Sequence, residues 1–401
     1  MKELKIDRYT MNIFSGIFFL LLLFNCLTLT KLPIRDIAFT TMEWTHYIAI
    51  FIMGYLLARR TYPWTIVKPF HIGILIFAIS YISLHLLNGN AGDDNGLTQI
   101  LLYLLFIVSM AYLPWEKDQY KIFGYISAGL CIIIFIHWIF SGLPMTNFKG
   151  LIRNPNITGV FVSCLLFFLI IAFKKVSLKG QLFLGVGIGF AIILIYVSSA
   201  RAVLLLLVTA FGARIVLFFS KKLFSFLFYL VMLFNAIFLF TYGLLSKSSY
   251  FSTINEWSMN NFGKNFFSGR QNIWNPAILH GFEEPFFGHR INILPEDYIQ
   301  GTHYVHAHNQ YLQVFLESGI VGIICFSLLL LGIWKVYQRG LHSSVVRWSA
   351  CFFLGILVYQ SMEISLFFNM HAIGLLQWLI ISIGIGGVLH QTSKERGRRS
   401  I

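Results

Sequence analysis

The sequence predicts an all-α integral membrane protein of about twelve transmembrane helices, with one long loop outside the membrane. Three observations carry this. Of 401 residues, 57% are hydrophobic and only 11% charged, and the mean hydropathy is +0.74; a soluble domain carries roughly 25% charged residues. Apolar runs near the length that crosses a hydrocarbon core, about 20 residues, recur along the chain. One stretch, about 246–317, breaks the pattern and is far longer than a simple connection needs.

The elements follow in order. The charged N-terminus "MKELKIDRYT" leads into a first span at 11–30, with no clear small-residue cleavage site, so it reads as a membrane helix and not a cleaved signal. Eight further spans centre on 44–58, 69–87, 97–114, 122–143, 157–173, 181–198, 202–219 and 223–245. After the loop come 318–338, 346–367 and 371–390. This divides the chain into an N-terminal bundle (1–245), an extracytoplasmic catalytic loop (246–317), C-terminal helices (318–390) and a basic cytoplasmic tail (391–401). The loop has helix-like pieces around "SGRQNIWNPAILHGF" and "AHNQYLQVFLESG". There is no internal repeat.

Charge orients the chain. With the N-terminus inside, 21 of the 30 lysines and arginines fall on the cytoplasmic side, among them the runs at 174–179, 221–222 and 394–399. That bias places both termini in the cytoplasm and the long loop outside. It also explains the net charge of +14 without a nucleic-acid partner. The five cysteines, Cys26, Cys131, Cys164, Cys325 and Cys351, lie in apolar segments with no CxxC, as filler residues do.

Four features on the outer side hold the groups that can do chemistry. In "GLIRNPNITG", Arg153 and two asparagines flank Pro155, and Asn156 is placed to cap the next span. In "YVSSARAVLLLLV", Arg201 sits at the mouth of a span, where a charge is either functional or snorkels to the interface. In "FFSGRQNIWNPAI", Ser268 and Gln271 have capping-box spacing and Arg270 falls in the first turn, where helix amides and a guanidinium suit a phosphate. An ordinary surface arginine is the bland reading. In "GTHYVHAHNQYLQVFLESGIVG", His303, His306 and His308 crowd six positions. A zinc site is the obvious alternative there, but the nearest acids in sequence are Glu296, Asp297 and Glu317, and spacing of two does not stack His306 and His308 on one helical face. A histidine general base is the reading adopted, with Asn309 and Gln310 orienting substrate hydroxyls; a structural role is its alternative. Arginines for phosphates and a histidine for a proton fit glycosyl transfer from a lipid diphosphate, a leaving group that needs no metal when guanidinium charge meets it.

The pieces "RNPNITG", "SSARAVLLLL", "SGRQNIWNPAILHGFEEPFFGHR" and "HAHNQYLQVFLESGIVG", in this order over roughly 150–340, resemble the O-antigen ligase and O-antigen polymerase superfamily of bacterial membrane glycosyltransferases. The resemblance implies a donor glycan on undecaprenyl diphosphate at the outer face of the inner membrane and an inverting, metal-independent transfer with no cofactor. It implies that Arg201 and Arg270 hold the diphosphate and that His308 activates the acceptor hydroxyl, with Arg290 as a further phosphate contact. His303 and His306 match no motif position. "RNPN" before the sixth span looks more like the polymerases than the ligases, so polymerisation of lipid-linked repeat units is the reading adopted. Transfer to lipid A–core is the alternative, and a chain-length regulator is a candidate partner. A polysaccharide flippase is the reading of another class, but transporters bind at the midplane and have no need of "HAHNQ" outside. A metal enzyme built on Asp36 or Glu43 lacks a paired acidic motif.

Overall fold

The computed structural model describes residues 8–59, 64–87, 94–113, 115–246, 248–262, 265–266, 268–302 and 304–399. The protein is an all-α integral membrane protein. His303 and the basic residues Lys2, Lys5, Arg60, Lys247 and Lys264 lie outside the described residues.

A helix stands at each of the twelve expected spans. They are α1 (Arg8–Asn25), α2 (Arg35–Arg59), α3 (Trp64–Leu87), α4 (Asp94–Tyr112), α5 (Lys117–Phe140), α6 (Pro155–Phe173), α7 (Leu178–Ser198), α8 (Arg201–Phe219) and α9 (Lys221–Ser246), then α12 (Gln310–Gln338), α13 (Ser344–Tyr359) and α14 (His371–Arg399). Two more, α10 (Phe251–Phe262) and α11 (Gln271–Gly281), belong to the long loop. Among the described residues nine helices are long and apolar enough to cross a membrane, and α4 and α13 contribute shorter apolar segments. The spans of α6 and α14 are 78% and 94% buried against 22% for α9, so α6 and α14 form the centre and α9 the rim. All five cysteines are free, and four are buried.

Two departures from the sequence reading shape the site. The first concerns α12, which begins at Gln310 and not at 318, and then kinks at Gly319 (φ 60°, ψ −159°). The Pro-x-x-Gly turn of the loop docks into that kink. Ile320 N–H donates to Pro285 O (2.9 Å), Val321 N–H to Phe286 O (3.2 Å) and His289 N–H to Leu316 O (2.9 Å). Only glycine fits on either side. A Cβ on Gly319 would stand 2.4 Å from Phe286 C, and one on Gly288 (φ 69°) 2.5 Å from Glu317 C.

The second departure is in α13, which ends at Tyr359, so the span expected to reach 367 is helical only in its first part. Residues 360–370 run as irregular, almost wholly buried chain. The polar side chains of "QSMEIS" compete with the helix for its hydrogen bonds. Ser361 Oγ donates to Val358 O (2.6 Å), Gln360 Nε2 to Ser365 Oγ (2.8 Å), and Ser365 N–H to Gln360 Oε1 (3.1 Å). Irregular backbone at such depth survives only when the protein itself satisfies it. Neighbouring elements do so: Gln310 N–H reaches Gln360 O (2.9 Å), Asn309 Nδ2 reaches Ser361 O (2.9 Å), Arg270 Nη2 reaches Met362 O (2.9 Å) and Trp378 Nε1 reaches Leu366 O (2.6 Å).

Candidate active site

A cavity of ≈ 370 Å³ opens where the first turns of α6 and α8, the start of α11, the loop before α12 and the 360–370 segment meet. Asn156, Arg201, Arg270, Tyr304, His308 and Glu363 supply its polar lining.

Each residue is delivered by local chain geometry. Asn154, not Asn156, caps α6: its side chain accepts from Asn156 N–H (2.8 Å), with Pro155 at the first helical position. The expected cap at Asn156 is thereby corrected, and its side chain lines the cavity instead. Between α7 and α8 the chain turns within "SSA", Ser199 taking a left-handed conformation (φ 55°), so Arg201 opens α8 directly at the cavity.

Ser268 is likewise not a cap. The residue before α11 is Arg270, which makes no side-chain cap bond. Ser268 (φ 52°) and Gly269 (φ 77°) are both left-handed, a turn that costs a serine of order 1–3 kcal/mol unless neighbours hold it. Arg201 holds it: Nη2 donates to Ser268 Oγ (2.6 Å) and to Asn265 O (2.8 Å). The two expected arginines are therefore linked, one fixing the turn from which the other starts.

Arg270 Nη2 donates to Met362 O (2.9 Å) and forms a 3.0 Å ion pair with Glu363 Oε1. The other carboxylate oxygen, Oε2, stands 3.1 Å from His308 Nδ1. Glu363 is 5% exposed and had no part in the sequence reading. Burial pushes its carboxyl up, but the His308 hydrogen bond, the His308 charge and the Arg270 guanidinium outweigh that and hold it below the usual range. An ionised carboxylate only accepts, so His308 donates from Nδ1, which leaves Nε2 as the nitrogen that can face a substrate hydroxyl.

His308 itself is left-handed (φ 52°). Trp274, buried in α11, donates from Nε1 to Ala307 O (2.7 Å) and pins the chain between the two histidines. His308 N–H donates to His306 Nδ1 (3.2 Å), which fixes His306 as the tautomer protonated at Nε2. The two rings lie 3.9 Å apart between centroids. Burial, then the neighbouring His308 charge, push the His306 imidazole down to about 3, so it stays neutral at ordinary pH. His306, His308 and Glu363 each offer a ligand atom within 4.8 Å of one another and are the residues that could hold a metal here. A second such group, His280, Glu283 and His289, lies at the far end of α11 and the turn beyond it.

The remaining expected residues fall elsewhere. Arg153 is exposed and donates from Nε to Thr30 O (3.0 Å), tying "RNPN" to the turn after α1. Arg290 forms a two-pronged pair with Asp297 (2.8 Å to each oxygen), away from the cavity. Asn309 is fully buried and caps α12, its Oδ1 accepting from Leu312 N–H (3.0 Å). Gln310 is fully buried with no partner for its amide among the described residues. Glu317, one of the acids nearest in sequence, accepts from Tyr81 Oη (3.1 Å), Gln313 Nε2 (2.9 Å) and Asn292 N–H (3.1 Å) inside the kink. The one sequence signal that could have pointed to Glu363 is that it is the single carboxylate from 318 to 394.

The fold and this cavity define a multi-pass membrane protein with a cationic, histidine-bearing site at one end of its helices. Residues 186–327 match the family model described as O-antigen ligase, so this segment of the chain is similar to that family. That similarity supports a glycosyltransferase-like ligase or polymerase. The matched segment includes Arg201, Arg270 and His308 and ends before Glu363. A comparison with curated proteins finds no match.

Proposed function

We propose that the protein polymerises undecaprenyl-diphosphate-linked oligosaccharide repeat units at the outer face of the cytoplasmic membrane, with both termini in the cytoplasm. The observation that carries the reading is the Arg270–Glu363–His308 chain, with Arg201 across the same cavity. Glu363 orients His308 so that Nε2 can take the proton of an acceptor hydroxyl. The freed oxygen bonds to the anomeric carbon from the side opposite the diphosphate. The bond from that carbon to the diphosphate oxygen breaks, and its electron pair leaves with the diphosphate. Inversion follows. Arg201 and Arg270 meet the growing charge; the two protein bonds of Arg270 both use Nη2, which leaves Nη1 for phosphate. The proton rests on His308, where the Glu363 carboxylate stabilises the imidazolium. Arg153 and Arg290 are outer-face cations that a long glycan diphosphate can meet on its way in, and Asn309 and Gln310 set the start of α12 that follows His308.

A second reading, transfer of finished glycan to lipid A–core, is favoured by the description of the matched family. A flippase would have no use for a histidine held in one tautomer.

The test is reconstitution of purified protein with an undecaprenyl diphosphate repeat unit, scored for lipid-linked oligomers. A ladder without other acceptor, lost in His308→Ala, supports polymerisation. Product only on adding lipid A–core makes the protein a ligase. Full activity of His308→Ala removes the base assignment.

A further inference from the structure

The helices that open at the catalytic cavity end on the opposite face, and that face carries a second concave site. α8 is 19 residues long and so reaches about 28 Å from Arg201. There Ser220 Oγ accepts from Leu223 N–H (3.2 Å) and starts α9, placing Lys221 and Lys222 in its first turn. The end of α12 brings Gln338, Arg339 and, just beyond, His342 beside them. A cavity of ≈ 360 Å³ lies between these side chains. A second cavity of ≈ 480 Å³ shares Lys222 and Ser225 with the first and continues over Leu223, Phe226 and Tyr229 of α9. Those three apolar side chains are exposed, on a helix that the bundle covers least.

The first cavity suits an anion. Neither stretch that builds it contains a carboxylate: no Asp or Glu occurs from 119 to 255 or from 318 to 362. Gln338 Oε1 accepts from Ser225 Oγ, while Gln338 Nε2 is a buried donor with no protein partner among the described residues. An acceptor-only ligand with negative charge would satisfy that amide beside Lys221 and Lys222. The second cavity suits a hydrocarbon chain. A general excess of lysine and arginine on the cytoplasmic side accounts for charge, but not for an apolar furrow joined to it at shared residues.

We propose that these joined cavities bind an anionic phospholipid of the leaflet at that face. Its phosphodiester sits among Lys221, Lys222, Arg339 and the Gln338 amide, and one acyl chain lies along Leu223, Phe226 and Tyr229. Basic pockets between helices at a membrane surface recognise lipid headgroups by this combination. The site is separate from the catalytic residues and does not depend on the proposed polymerase activity.

The experiment is native mass spectrometry of the full-length protein in detergent, titrated with dioleoyl phosphatidylglycerol and, separately, dioleoyl phosphatidylcholine. Wild type is expected to hold phosphatidylglycerol at least tenfold tighter. Lys222→Glu with Arg339→Glu should erase that preference; both residues are exposed, and Lys222→Gln with Arg339→Gln serves if charge reversal disturbs folding. Glycerol 3-phosphate at equal concentration should not displace the lipid. Equal affinity for both lipids, or an undiminished preference in the variants, overturns the proposal. Displacement by glycerol 3-phosphate overturns it in favour of a soluble phosphate ester.

Discussion

His308 Nδ1 stands 3.1 Å from Glu363 Oε2, two residues separated by 55 positions and brought together where α13 unwinds. The pair decides which nitrogen of His308 faces the cavity. Glu363→Gln keeps the shape, but its amide can present an N–H where His308 needs an acceptor. Transfer should fall by about 10²-fold, the usual scale for a lost orienting partner of histidine. Glu363→Ala is a poorer test, since removing one partner of a buried ion pair costs about 3–5 kcal/mol. The measurement is transfer rate in the reconstituted system, alongside a melting curve. An unchanged rate in Glu363→Gln would show that the tautomer does not matter.

Lysine should not replace either cavity arginine. Arg201 bonds Ser268 Oγ and Asn265 O from Nη2, and Arg270 bonds Met362 O and Glu363 from Nη2; a lysine ammonium that took over these bonds would lack the second planar nitrogen that the proposal gives to phosphate. Arg201→Lys and Arg270→Lys should each lose about 10²-fold in rate, by the measured scale for single transition-state donors. Full activity in both would argue against forked phosphate binding.

Acid should destabilise the protein through His306 first. Its imidazole is depressed from 6.5 to about 3 in the folded state. Between those values the unfolded chain takes up a proton that the folded chain refuses, so stability is complete above about pH 6.5 and falls as pH drops toward 3. Glu363, also depressed, adds loss of the same sign below its ordinary 4.5. His306→Asn keeps an acceptor for His308 N–H and removes the titration. Its melting temperature should vary less between pH 7 and pH 4 than that of wild type.

Chelation should leave activity intact. The ion pair and hydrogen bonds already use Glu363 and His308 in the geometry proposed for catalysis. Assay after EDTA treatment is the check. Loss of activity with recovery on zinc would instead put a metal on His306, His308 and Glu363.

The lock between the loop turn and the α12 kink should be sensitive to a single methyl. Gly288→Ala forces a left-handed alanine and a contact with Glu317 C, so it should lower stability by more than the 1–3 kcal/mol of backbone strain alone. Gly129→Ala in α5 is the control: nothing lies within 4 Å of the added carbon, and alanine there should be neutral or stabilising by up to about 1 kcal/mol. Thermal unfolding of the two variants side by side is the measurement.

The sequence by itself determined the membrane class, the twelve helix positions and the arginines and histidine that meet in the cavity. These are local properties: hydropathy follows composition over about 20 residues, and motifs such as "SSAR" and "HAHN" lie on contiguous chain. Caps were misread by a residue or two, as at Asn154 and Ser268, because capping depends on φ and ψ that many polar residues can adopt. Glu363 was not legible at all. It sits in a run that reads as membrane helix, and its role exists only because 360–370 unwinds, which requires Asn309, Gln310, Arg270 and Trp378 to satisfy the freed carbonyls from three other elements. Tertiary structure also separated Arg290 and Arg153 from the cavity by giving each a different partner. Charge and hydropathy are written residue by residue; which carboxylate meets which cation is fixed only when distant helices pack.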